Sequence, residues 1–137
     1  MKQLTAILLC VLALFSSCKK DNPSAALVGQ WAWTIEYTND PGFNSTPQSS
    51  GIAETFAFNS NGSYSLTRNS VVVNSGTYRT STTNSTSGAP IATVLFTNSR
   101  VTDSAAYYTI TNNSDSLIFS HDLKGTAGSG SRHYGRL

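Results

Sequence analysis

The sequence predicts an all-β protein, an eight-stranded antiparallel up-and-down barrel, on three observations. From Leu27 onward the chain is rich in Ser, Thr, Asn and Gly and poor in Ala, Glu and Lys, which suits strands and turns better than helices. No window there carries apolar residues at helical spacing. Eight short segments instead alternate apolar and polar residues with a period of two, and eight strands in succession favour closure, which removes exposed edges.

In the first strand Trp31, Trp33, Ile35 and Tyr37 share one face, with Ala32, Thr34, Glu36 and Thr38 on the other. Phe56 and Phe58 alternate with Thr55 and Ala57 in the second. Asn61 and Gly62 supply the positive-φ positions of a tight hairpin, and Tyr64 and Leu66 alternate with Ser63, Ser65 and Thr67 in the third strand. A fourth over residues 75 to 80 holds Tyr78, a fifth over 91 to 98 holds Val94 and Phe96, and a sixth over 105 to 111 holds Tyr107, Tyr108 and Ile110. Residues 112 to 115 turn into a seventh with Leu117 and Phe119, and an eighth over 131 to 136 centres on Tyr134, with no helix pattern after it. Glu36 and Glu54, the only glutamates, are expected on the face opposite the aromatics, which leaves a paired-carboxylate hydrolase without support.

Strand parity predicts which connections share an end. The tight turns at 61 to 62 and 112 to 115 fall at one end, and the long connections at 39 to 50 and 122 to 130 fall at the other, which reads as a mouth. Residues 81 to 90 belong to the tight-turn end, and their Ser, Thr and Asn content reads as a solvated flap.

Ahead of the barrel, Lys2, the apolar run from Leu4 to Phe15 and the small residues Ser16 and Ser17 have the pattern of a secretory signal peptide, too short in its apolar part to span a bilayer. Ser16-Ser17-Cys18 resembles the lipobox of Gram-negative lipoproteins, in which the Cys becomes the acylated first residue of the mature chain. That resemblance implies a signal peptide over 1 to 17 and a lipidated Cys18 with a tether to residue 26, ahead of the barrel domain that the alternation places over 27 to 137. It also implies a place in the cell envelope, anchored in the outer membrane by acyl groups on Cys18. Several acyl chains on one residue anchor essentially permanently, since each buried CH2 contributes about 0.8 kcal/mol. The tether from residue 21 spans roughly 20 Å when extended.

Removing 17 of the 137 residues leaves 120, one domain by length. Cys10 leaves with the leader and Cys18 is acylated, so no thiol remains for a disulfide, a nucleophile or a zinc site. Lys2 is one of nine Lys and Arg, so eight remain against seven acidic residues, the basic ones scattered singly beyond the Lys19-Lys20 pair. Nucleic-acid binding, which needs clustered cations, is not expected, and a monomer is.

Leu27-Val28-Gly29-Gln30-Trp31, the Phe-x-x-x-Gly-x-Tyr turn from Phe58 to Tyr64, and Ser75-Gly76-Thr77-Tyr78 together resemble the small lipocalin-like domains of bacterial lipoproteins, within the calycin superfamily. The resemblance covers residues 27 to 137. It implies that Gly29 and Trp31 form a barrel-closing motif, with Arg136, or alternatively Arg132, stacking on the indole from the last strand.

A barrel of eight strands is either filled by side chains or holds one small ligand. The expected function is binding or carriage of a small hydrophobic molecule, without enzymatic activity and with no cofactor. Trp33, Tyr64, Phe96, Phe119 and the loop residue Phe43 are the candidate ligand-binding residues. A filled barrel acting as a structural or protein-contact module is the alternative. A small metal-dependent enzyme built on His121, Asp122 and His133 is a third reading, disfavoured because neighbouring strand residues point to opposite faces. Asp103-Ser104-Ala105 and Asp115-Ser116-Leu117 resemble a short O-glycosylation tripeptide of some Gram-negative envelopes.

Overall fold

The computed structural model describes residues 24 to 85, 87 to 97, 104 to 111, 113 to 120 and 130 to 137. The signal-peptide reading, Cys18, His121 and Asp122 lie outside the described residues. The strands are β1 (Gly29–Tyr37), β2 (Glu54–Phe58), β3 (Ser63–Arg68), β4 (Val71–Asn84), β5 (Pro90–Thr97), β6 (Ser104–Thr111), β7 (Ser116–Ser120) and β8 (Ser131–Arg136). Each pairs antiparallel with the next, and β8 pairs back onto β1, giving a closed up-and-down barrel in the order of the sequence.

Turn chemistry sets the register of the hairpins. Gly62 alone takes positive φ between β2 and β3, where its N–H donates to Asn59 O in a loop four residues long. The two-residue turn lies instead between β3 and β4, where Asn69 and Ser70 both adopt the left-handed conformation at φ 47° and 68°. The expected flap at residues 81 to 90 is corrected: the β4–β5 ladder continues to Asn84 opposite Pro90, so most of that segment is strand. Its Thr-rich, β-branched stretch suits an extended backbone as well as it suits solvent.

Between β1 and β2 lie a 3-10 turn (Pro41–Phe43) and a single helical turn, α1 (Pro47–Ser50). Thr46 caps α1 by accepting from Ser49 N, while the Ser49 hydroxyl accepts from Thr46 N. This connection folds back on the barrel, where Glu36 and Ser45 exchange two backbone hydrogen bonds beyond the last β2 partner of β1. Asn69 ties it to the β3–β4 turn through Ala53 and Gly51.

The core fills the barrel toward the end where the chain enters. Leu27, Trp31, Phe58, Val94 and Leu117 are fully or almost fully buried there, joined by Tyr78 and Tyr108. Burying each large apolar side chain stabilises by roughly 1.5 to 3 kcal/mol. The other end, carrying the starts of β2 and β8 and the ends of β3, β5 and β7, is where the interior opens.

Candidate functional site: a cavity with an ion-pair wall

Trp31 closes the lower end. Its Nε1 donates to Leu27 O at 2.8 Å, and the Arg136 guanidinium lies 4.1 Å from the ring centroid. Arg136 spends its donors on three carbonyls, Ser114 O at 2.7 Å, Val28 O at 3.0 Å and Ala26 O at 2.8 Å. Gly29 makes room for this arrangement, with φ at +141° and a position where a Cβ would stand 2.5 Å from Arg136 Nη1.

At the opposite end a cavity of about 250 Å³ opens among Phe56, Tyr64, Leu66, Phe96, Phe119 and Tyr134, with Ala105, Ala106, Asn74, Glu54 and Arg132 completing its wall. Phe56 is at the centre of an aromatic cluster, with Phe96, Phe119 and Tyr134 at centroid distances of 5.8, 5.7 and 5.7 Å. Tyr64 meets Phe96 edge-on at 4.9 Å, a geometry that aromatic quadrupoles favour.

Of the residues expected to bind a ligand, Tyr64, Phe96 and Phe119 stand in this wall. Trp33 does not: it is buried in the core with the Arg132 guanidinium 5.4 Å from its ring centroid. Phe43 is 72% exposed on the 3-10 turn and is not part of the wall.

The two glutamates correct the expected facing. Glu54 shares the parity of Phe56 and Phe58 and points inward, its side chain almost wholly buried. Its Oε1 accepts from Tyr134 Oη at 2.6 Å and from Arg132 Nη1 at 3.2 Å, and its Oε2 accepts from Arg68 Nε at 2.6 Å. Glu36 turns inward because β1 bulges: Trp33 pairs with Tyr134 and Ile35 with His133, leaving Thr34 as an extra residue. Beyond the bulge Ile35 and Tyr37 therefore leave the aromatic face, and Glu36 accepts from Arg132 Nη2. Two carboxylates and two guanidiniums thus meet at the hollow end.

This network fixes protonation states. Burial works against the Arg132 charge, but the hydrogen bond to Glu36, followed by its other electrostatic neighbours, outweighs it and raises the Arg132 pKa. Burial, then the hydrogen bond to Glu54 and its charge, raises the Tyr134 phenol and holds it neutral. Arg132 Nε and Trp33 Nε1 are buried with no acceptor among the described residues. His133 lies on the outer face, edge-on to Tyr37 at 4.9 Å, with burial lowering its pKa. It is therefore turned away from the cavity, and no group of three metal-ligating side chains occurs among the described residues.

The signal for Glu54 lay in its period-two spacing from Phe56. Nothing comparable marks Asn74, which reaches the cavity and accepts from Tyr64 Oη at 3.3 Å past a second bulge, in β4.

Comparison of the chain with protein-family models, with curated proteins and with solved structures returned no match.

Proposed function

We infer that this is a lipocalin-like binding protein of the cell envelope, held to a membrane by acyl groups on Cys18, that carries a small, largely hydrophobic molecule. The observation that carries the reading is the asymmetry of the barrel interior. One end is plugged by Trp31 under Arg136, and the other holds a cavity walled by aromatic rings and one compensated set of charges. A concave, mainly apolar site with a few convergent polar groups is the usual form of a small-molecule site. A barrel serving only as a structural module gains nothing from leaving that volume unfilled, since an empty cavity costs stability.

The reading is of a binder and not of an enzyme. The buried carboxylate of Glu54 already accepts from Tyr134, Arg68 and Arg132, so its lone pairs are committed to fixing side chains.

Native mass spectrometry of the protein recovered from its own membranes tests both parts. It is expected to report acyl groups on Cys18 and a bound small molecule, and Ala106→Phe, which fills the cavity, is expected to lose the small molecule while remaining folded. A bare mass for the unsubstituted protein would contradict carriage. Membrane retention of a cleaved Cys18→Ala protein would contradict the anchor.

A further inference from the structure

The geometry points to the class of molecule the cavity accepts: an uncharged, single-ring aromatic compound with a short hydroxyl or carbonyl substituent, in preference to carboxylates and acyl chains. This rests on the binding reading above and adds the ligand's size, shape and charge.

Size comes first. A volume of about 250 Å³ lies just below the roughly 300 to 1,000 Å³ of sites for drug-sized ligands. One ring with a short substituent is enclosed by such a volume, whereas a long acyl chain extends out of it through the mouth.

Shape follows from the wall. Phe56, Phe96 and Phe119 lie within 6.3 Å of one another, centroid to centroid, with planes inclined by 26° to 63°. Such a set offers ring faces and edges to a flat guest from several sides, and aromatic pairs prefer offset and edge-to-face contact. A flexible chain entering the same space gives up its rotational freedom and gains no such directional contact.

Charge decides between congeners. Among the described residues, the two carboxylates at the hollow end, Glu36 and Glu54, are matched by Arg132 and Arg68. A ligand carboxylate must compete with Glu54 for guanidinium donors while standing beside two like charges. A ligand ammonium meets the converse difficulty. Either brings an uncompensated charge beside Glu54, whose own carboxylate is almost wholly buried and already paired, which is unfavourable. A hydroxyl or carbonyl adds no net charge and can accept from the Arg132 guanidinium, which stands in the wall.

Isothermal titration calorimetry of the full mature chain with benzyl alcohol, indole, benzoate and decanoate tests the proposal. Benzyl alcohol and indole are expected to saturate one site with dissociation constants of about 1 mM or below. Benzoate is expected to bind at least about tenfold more weakly, a difference that costs about 1.4 kcal/mol, and decanoate is expected not to saturate. Glu54→Gln leaves a net positive charge in the wall and is expected to reverse the preference between benzyl alcohol and benzoate. Should that variant fail to fold, the order of affinities in the unsubstituted protein decides alone. Benzoate or decanoate binding as tightly as the neutral rings overturns the ligand class and leaves the cavity a binding site. No heat of binding from any of the four probes overturns both.

Discussion

Gly29 and Arg136 are a single device made from two ends of the chain. The glycine backbone holds φ at +141° and leaves the space that Arg136 Nη1 occupies. Gly29→Ala is therefore expected to destabilise the protein by at least about 2 kcal/mol, through strain and displacement of the guanidinium. Arg136→Lys keeps the charge but loses the planar fork that reaches three carbonyls and covers the indole, and is expected to cost about as much. Urea denaturation with an unchanged slope checks both. Tyr134 supplies a pH dependence whose sign is fixed by its partners. Burial and the Glu54 hydrogen bond raise the phenol pKa in the folded state, whereas in the unfolded chain it ionises near 10. Its contribution is fully present below about pH 10 and is lost as pH rises above that value. Tyr134→Phe is expected to be less stable at neutral pH but to lose stability less steeply between about pH 10 and 12, as followed by denaturant titration at each pH.

At the scale of elements, the β1 bulge decides which residues reach the interior. Thr34 is the additional residue, so Trp33 faces in, Ile35 out and Glu36 in. Deleting Thr34 leaves those facings intact and is expected to give a folded barrel, destabilised by about 1 to 2 kcal/mol through loss of local twist. Deleting Thr55 from the unbulged β2 swings Glu54 out of the network and is expected to abolish cooperative unfolding. Circular dichroism during urea denaturation separates the two outcomes. The bulge is also where the sequence misleads. Alternation announces eight strands, because side chains on a pleated strand take opposite faces, but an inserted residue reverses parity without any residue type of its own to mark it. Glu36 was hidden in this way. Glu54 was not, since it stands two residues before Phe56 on a regular strand. The Asn69-Ser70 turn escaped notice because it reaches the left-handed region without glycine, and Val71, Val72 and Val73, all exposed, lack alternation.

At the scale of the molecule, closure divides the interior into a filled half and a hollow half. The first and last strands pair, so Trp31 is capped by Arg136 at one end while Glu36 and Glu54 meet Arg132 at the other. Large aromatics legible in the sequence thus serve two purposes. Those near the chain entry, such as Phe58, are core, and those at the far ends of β5 and β7, Phe96 and Phe119, line the cavity. Parity told which end each connection joined, but the depth at which the packing stops depends on side-chain volumes summed over eight strands, and no single segment carries that information. A crystal structure of the protein under xenon pressure tests this division most directly, because xenon occupies apolar cavities without needing a specific hydrogen bond. The account predicts xenon density in the cavity that Phe56, Phe96 and Phe119 wall and none beside Trp31, whereas side chains collapsed into the upper half, with no xenon inside the barrel, would contradict it.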